Sequence, residues 1–235
     1  MTKYKHLFFD LDNTLYDFEA NSYLALETAL NQLGITPLLP SFAEYFKIYA
    51  RINADLWALY RDQLMPKEVL RGKRHTDSLA HFNIQSQVDP IEIDDLYLKI
   101  MTTQTELFPG TIEVLAQLQK KGYHLHIITN GFKEVQHDKL INTGLQKFFT
   151  DVYISEEIKS PKPSRQIFEH AIKSSNARKK ESLMIGDSWE SDIVGAKNFG
   201  IDQVFYRLND EEINYNGLGA PTYIISDLKE LLEIL

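Results

Sequence analysis

The 235-residue chain contains no cysteine. That excludes structural disulfides, thiolate metal sites and a cysteine nucleophile, so any metal must rest on oxygen or imidazole ligands. No run of about 18 or more apolar residues occurs, and no helix is expected to span a membrane. The apolar run Leu7-Phe8-Phe9 stops at Asp10 and lacks the longer core and small-residue cleavage pattern of a signal peptide, which makes the cytoplasm the expected location. Positive charge is the scarcer sign: 25 Lys and Arg stand against 33 Asp and Glu, a formal net charge of −8. This balance speaks against a nucleic-acid polymer as partner, while leaving room for a local basic pocket that takes one small anion. Internal repeats and low-complexity tracts are also missing. What is present, 43% hydrophobic and 25% charged residues, is ordinary globular composition. The length suits one large domain or a domain carrying an insertion. Oligomeric state is not set by any of these features.

From Phe108 onward short apolar runs alternate with helical stretches, the pattern of a parallel sheet covered by helices on both faces. His124-Leu125-His126-Ile127-Ile128, Val152-Tyr153-Ile154, Leu183-Met184-Ile185 and Val204-Phe205-Tyr206 read as strands, with Tyr223-Ile224-Ile225 as an edge strand. Ile112, Leu115 and Leu118 mark a helix that Gly122 can terminate. Leu7-Phe8-Phe9 is apolar all round, which fits a central strand buried on both faces. From about Tyr16 to Glu106 the strand pattern disappears and four helical segments take its place. Tyr23, Leu26, Leu30 and Leu33 share one helical face ahead of Gly34. Ser41 and Glu44 form a capping-box pattern before Phe42, Tyr45, Tyr49, Ile52, Leu56 and Leu59, and Pro66 and Pro90 can each open a further helix. The expected organisation is therefore a discontinuous core, residues 1–15 and 106–235, interrupted by a helical domain over 16–105, with hinges near Thr14–Asp17 and Thr105–Gly110.

Ligands of open parallel sheets bind beyond the carboxyl ends of the strands. Four polar clusters stand there: Asp10-Leu11-Asp12-Asn13-Thr14, Thr129-Asn130-Gly131, Lys162 within Ser160-Pro161-Lys162-Pro163, and Gly186-Asp187-Ser188 with Asp192. Asp10 and Asp12 project to the same side by the two-residue period. Gathered carboxylates without thiolates make a hard oxygen site suited to Mg²⁺, which keeps several waters and takes a phosphate oxygen as a further ligand. Mg²⁺ and Lys162 would offset the repulsion between a phosphate dianion and the aspartates. One aspartate could then be the nucleophile that forms an aspartyl-phosphate, while a second protonates the leaving oxygen and deprotonates water; Asp10 and Asp12 suit that pair. Thr129 and Asn130 offer a hydroxyl and an amide to phosphate, and main-chain N–H groups nearby can form an anion nest. Taken singly, each cluster reads as a turn or helix cap. Their joint placement after four strands is what points to chemistry.

These motifs, with the hydrophobic strands before them, resemble the haloacid dehalogenase superfamily, and the resemblance runs over essentially the whole chain. It implies a Rossmann-like parallel core with helices on both faces and an inserted helical cap that closes over the site. By the same resemblance Asp10 is nucleophile and Mg²⁺ ligand, and Asp12 is the acid/base whose main-chain carbonyl also binds Mg²⁺. Asp187 would be a direct ligand, with Asp192 in a supporting or water-mediated role. Thr129, Asn130, Gly131, Lys162 and Leu11 would bind phosphate, and Lys162 would also restrain Asp10. The segment Phe8-Phe9-Asp10-Leu11-Asp12-Asn13-Thr14-Leu15-Tyr16-Asp17-Phe18, with Ile52-Asn53, Leu56-Trp57 and Ser155-Glu156-Glu157, is most similar to the nucleoside 5′-monophosphatases that include pyrimidine nucleotidases. Lys159-Ser160-Pro161 departs from the small or glycine-containing stretch of that pattern.

The expected activity is Mg²⁺-dependent hydrolysis of a small phosphorylated substrate, a nucleoside 5′-monophosphate or a similar ester, with sugar phosphates or phosphoglycolate as the alternative. A phosphomutase would share the nucleophile and metal but needs a second phosphate-binding element that the cap does not display. A dehalogenase needs neither metal nor the Asp12 acid/base, and a non-catalytic phosphate sensor has no need of the full set of catalytic positions. Substrate-contact candidates are Tyr16, Phe18, Asn53, Trp57, Arg61, Arg71 and Arg74. Asn53 and Trp57 share a helical face, where a base could stack on the ring while the amide reads its edge. Core packing for Trp57 and surface charge for the arginines are the competing readings. The seven histidines lack metal-site spacing.

Overall fold

The computed structural model describes residues 3–84, 89–208, 217 and 219–235. Parts of the expected domains at 1–2, 85–88, 209–216 and 218 lie outside the described residues. The chain divides into two compact units, Met1–Phe18 with Thr105–Leu235, and Glu19–Gln104. Tyr16, Asp17, Phe18 and Thr105, assigned from sequence to the helical insertion, belong to the first unit.

Six strands build that unit: β1 (His6–Phe9), β2 (His124–Thr129), β3 (Asp151–Ile154), β4 (Ser182–Gly186), β5 (Asp202–Tyr206) and β6 (Tyr223–Ile225). All pair in parallel, in the order β3-β2-β1-β4-β5-β6. β1 lies centrally because Leu7, Phe8 and Phe9 are fully buried, a pattern tolerable only where both sheet faces are covered. On one face Phe8, Ile128, Tyr153 and Met184 pack with Ile167, Phe168 and Ala171 of α8 (Arg165–Ser174) and with Ala196 and Phe199 of α9 (Gly195–Phe199). The alternate residues Leu7, Phe9, Ile127 and Ile185 are equally sealed on the other face. Strand order reverses between β1 and β4, which opens a crevice at their carboxyl ends.

In α5 (Thr111–Lys120) the buried face is Thr111, Val114, Leu115 and Leu118, so Ile112 is exposed and not part of the core. The i, i+3, i+4, i+7 spacing of those four residues rotates position 112 outward. Among the described residues this unit also carries α6 (Lys133–Asn142), α7 (Ser155–Ile158) and α10 (Leu231–Ile234).

The second unit is built on α1 (Phe18–Gln32, whose first residue belongs to the first unit), α2 (Phe42–Arg61), α3 (Lys67–Ala80) and α4 (Pro90–Met101). The Ser41 hydroxyl caps α2 by accepting the Glu44 N–H, and Asp89 caps α4 with Pro90 in its first turn. Pro66 stands one residue before α3, at its cap. Tyr45, Tyr49 and Leu56 of the α2 stripe are buried, whereas Leu59 is exposed and Asn53 takes an interior position. The reason is a polar centre. Arg74 and His75 of α3 both reach Asp94 of α4: Arg74 Nε donates to Asp94 Oδ1 at 2.8 Å, and His75 Nε2 lies 3.1 Å from the same oxygen. Arg71 Nε adds a contact to Asp94 Oδ2, and Asn53 Oδ1 accepts from Arg74 Nη1 at 3.3 Å. Burial disfavours the Asp94 carboxylate, yet His75 and the arginines outweigh this and hold it at about 2, while burial pushes His75 down to about 4. Among the described residues, no helix is long and apolar enough to cross a membrane.

Arg74 is 1% exposed, so Asp94→Asn would leave its guanidinium buried without its main counter-charge. A loss of about 3 kcal/mol or more in urea unfolding is expected; a loss below about 1 kcal/mol would show that this network does not hold the unit together.

Candidate active site

The crevice between β1 and β4 is lined by residues that follow directly from each strand. Asp10 leaves β1 with its N–H bonded to the Ile185 carbonyl of β4 at 2.9 Å, which places it beside Asp187. The chain then turns tightly: the Leu11 carbonyl accepts the N–H groups of Leu15 and Tyr16 at 3.0 Å, and Asn13 takes the left-handed conformation with φ 62°. This turn brings Thr14 back to the site. Its hydroxyl accepts the Asp187 N–H at 3.1 Å and lies 3.1 Å from Asp187 Oδ1 and 3.4 Å from Asp10 Oδ2.

Lys162 enters from the loop after β3 and is buried. Its ammonium donates to Asp10 Oδ1 and to the Ile128 carbonyl at 2.7 Å, and pairs with Asp192 Oδ1 at 2.7 Å. The loop is fastened by Asn130, whose Nδ2 donates to the Lys162 carbonyl at 2.9 Å while its Oδ1 accepts the Lys162 N–H at 2.8 Å. Both polar atoms of the Asn130 side chain thus bond to the lysine's own main chain, a bracing role that the sequence did not suggest. Lys159, at the position that departs from the glycine-containing pattern, adopts φ 59°, the left-handed conformation a glycine would take without strain.

Asp192 is carried by a π-helical turn, Trp189–Val194, after β4. Its Oδ2 accepts the Ser188 N–H at 3.1 Å. A Cβ on Gly186 would stand 2.2 Å from that same oxygen, so the strand must end in glycine for the carboxylate to lie across it.

Oxygens of Asp10, Asp187 and Asp192 lie within 4.8 Å of one another. Burial pushes Asp10 up to about 7, with Lys162 opposing and Asp192 and Asp12 adding to the rise. Burial, then Asp10 and Asp192, lift Asp187 well above the usual carboxylate range. Burial disfavours the Lys162 ammonium, but the Asp10 and Asp192 carboxylates hold it above the ordinary lysine range. One lysine therefore faces three carboxylates, and the excess negative charge in a hard oxygen set fits a Mg²⁺ ion. Asp192 sits inside this cluster, with one oxygen on Lys162 and the other on the Ser188 N–H.

The Asp12 carboxylate turns the other way. Oδ1 meets Lys139 Nζ at 2.7 Å and Oδ2 accepts from Gln136 Nε2 at 2.9 Å, both from α6. Gln136 Nε2 also donates to Thr129 Oγ1 at 2.7 Å, and the Gly131 N–H donates to that oxygen at 3.1 Å. With the Thr129 oxygen accepting both, its own O–H can be given to a phosphate oxygen. Glycine at 131 leaves room for the Gln136 amide, since a Cβ would meet Nε2 at 2.2 Å and displace it from this position. Gln136 and Lys139 are absent from the sequence-derived site, and Thr14, though part of its first cluster, has no role assigned there. The available signal was a helix after Thr129-Asn130-Gly131 whose buried face, Val135, Gln136, Lys139 and Leu140, interleaves polar with apolar residues.

The remaining candidates are dispersed. Tyr16 is buried and Phe18 half-buried, with the Lys139 ammonium 4.7 and 5.3 Å from their ring centres. In the helical unit Asn53 and Arg74 are interior and bonded to each other, Arg71 is tied to Asp94 and Asp95, and Arg61 pairs with Asp62 at 2.9 Å. Trp57 is half-buried, edge-on to Tyr60 at 5.4 Å.

A parallel α/β sheet with an aspartate at the tip of its central strand and a lysine and acidic cluster at the switch point defines a class of hydrolases that work through carboxylates. The haloacid dehalogenase-like hydrolase family model matches residues 4–200, and the chain belongs to that family. It is 30% identical to the pyrimidine 5′-nucleotidase PynA of Streptococcus pneumoniae, over 99% of this chain and 95% of the relative. It is also 30% identical to the glyceraldehyde 3-phosphate phosphatase of Methanothermobacter thermautotrophicus, over 98% and 99%. The magnesium-bound structure of the putative HAD-hydrolase YfnB of Bacillus subtilis superposes with a TM-score of 0.89 at 27% identity, covering 100% of this chain and 99% of that one.

Crowding of three carboxylates makes a prediction. Asp187→Asn should unfold at a temperature at least as high as the parent in EDTA, because one repelling charge is gone. The stabilisation that Mg²⁺ gives the parent, about 2.7 kcal/mol at 100 times its Kd and read as a rise in melting temperature, should be largely lost. An undiminished Mg²⁺ shift in the variant would remove Asp187 from the ligand set.

Proposed function

We propose that the protein is a Mg²⁺-dependent phosphomonoesterase that transfers the phosphoryl group of a nucleoside 5′-monophosphate, or a similar small ester, to Asp10 and then to water. The observation that carries this reading is the buried Lys162 ammonium bound to Asp10 Oδ1 and Asp192 Oδ1 at the sheet switch point. Such an arrangement orients a nucleophilic carboxylate and supplies positive charge where a phosphate would sit. Asp10, Asp187 and the Asp12 main-chain carbonyl would hold Mg²⁺, with Asp192 supporting it. The bound ion offsets the charge of phosphate and carboxylates so that they can approach.

In the first half-reaction an Asp10 oxygen forms a bond to phosphorus as the ester P–O bond breaks, and Asp12 gives its proton to the departing alkoxide. In the second, water attacks the aspartyl-phosphate, Asp12 takes a proton from it, and inorganic phosphate leaves with Asp10 regenerated. The Thr129 hydroxyl and the main-chain N–H groups of Leu11 and Asn130 would hold the non-bridging oxygens, with the Gly131 N–H orienting that hydroxyl. Similarity to PynA over nearly the whole chain favours nucleotides, and equal similarity to a glyceraldehyde 3-phosphate phosphatase keeps small sugar phosphates as the second reading.

Asp10→Asn should lower phosphate release on the order of 1,000-fold or more while leaving the fold intact. Chelation with EDTA should stop the parent enzyme, and Mg²⁺ should restore it. Normal turnover in Asp10→Asn would sink the nucleophile assignment. For the substrate, kcat/KM should be measured over nucleoside 5′-monophosphates, glyceraldehyde 3-phosphate and phosphoglycolate. Nucleotides no better than the others would end the nucleotidase reading.

A further inference from the structure

We infer that Gln136 and Lys139 of α6 are positioning residues that fix the Asp12 carboxylate for proton transfer to the leaving group. The inference rests on the phosphatase reading with Asp12 as acid/base, and it does not depend on which ester is the natural substrate.

Each Asp12 oxygen has its own donor, Lys139 Nζ at 2.7 Å on Oδ1 and Gln136 Nε2 at 2.9 Å on Oδ2. Two contacts on two oxygens fix both the rotation and the tilt of the carboxylate, where one contact would leave it free to turn. Neither donor is a casual surface group, since Gln136 is fully buried and Lys139 nearly so. The ammonium is also seated against the faces of Tyr16 and Phe18, which restrict where it can go. Gln136 Nε2 is shared with Thr129 Oγ1 at 2.7 Å, so the acid/base and the expected phosphate-binding hydroxyl are referenced to one amide.

The helix that carries both donors is itself held from outside. Its cap residue Phe132 has no side-chain acceptor to offer, and Glu156 of α7 fills that role by accepting the Lys133 N–H at 2.9 Å. Glu157 meets His137 at 3.3 Å on the next turn. Glu156 and Glu157 after β3 therefore brace the first turns of α6, the helix that carries both donors to Asp12.

The leaving-group dependence of the first half-reaction separates this role from a structural one. An alkyl phosphate needs its departing oxygen protonated, whereas p-nitrophenyl phosphate does not. The quantity kcat/KM reports that half-reaction alone if phosphoryl transfer to Asp10 is irreversible. Gln136→Leu and Lys139→Met should each lower kcat/KM about 30-fold or more for the alkyl ester that the parent hydrolyses fastest, and less than about 5-fold for p-nitrophenyl phosphate. Lys139→Arg should recover most of the loss, and Glu156→Ala should show a weaker form of the same asymmetry. Gln136→Met keeps the side-chain length if Gln136→Leu fails to fold. Equal losses on both esters, or no loss on either, would overturn the inference. Asp10→Asn assayed beside them keeps the outcomes apart: activity retained there refutes the phosphatase mechanism, whereas activity abolished there with symmetric losses at Gln136 and Lys139 refutes only the positioning role.

Discussion

The ammonium of Lys162, buried between Asp10 and Asp192, is the contact on which the rest of the site depends. An isolated buried lysine would be costly to keep charged, and three neighbouring carboxylates would repel one another without it. The structure meets the cost with geometry. The Ile128 carbonyl near the end of β2 and the Asp10 carboxylate accept from the ammonium, Asp192 pairs with its charge, and the Asn130 amide locks the lysine's own peptide in place. All of these groups converge because β1, β2 and β4 are adjacent parallel strands that end at the same level.

A second group of contacts lies beside the first and has a different purpose. Lys162 neutralises charge within the carboxylate cluster, whereas Lys139 and Gln136 hold a single carboxylate still. The two are joined through the loop after β2, where Thr129 bonds to Gln136 and Asn130 bonds to Lys162. Substituting any one of these side chains is therefore expected to affect its neighbours, and their effects should not add.

Much of this arrangement is legible in the sequence. The six strands are short, β-rich and apolar, and Leu7-Phe8-Phe9 has no polar side to show to water, so it had to be central. The four clusters each follow a strand directly, which makes their position a matter of local sequence. Side chains whose surroundings come from distant segments were not legible in the same way. Asn53 reads in sequence as a base-reading amide and Arg74 as a surface or substrate-binding charge, because the partners that bury them, Arg74 for Asn53 and Asp94 for Arg74, lie on other helices. Ile112 and Leu59 have the spacing of core residues, but the buried faces of their helices are rotated away from them. Asn130 was recognisable as a polar group at a strand end, yet only its neighbour across the sheet shows that it braces Lys162.

The amino-acid sequence alone determined the class of fold, the order of the motifs and the thiolate-free character of the site, since periodicity and the lack of cysteine are properties of the chain itself. The tertiary structure decided which carboxylates share space and which face is the true interior of each helix. It also placed Gln136 and Lys139 on Asp12, more than a hundred residues away in sequence. The physical reason is range: strand and helix patterns repeat over a few residues, whereas charge pairing in a buried site is set by whichever distant segments the sheet brings within about 3 Å.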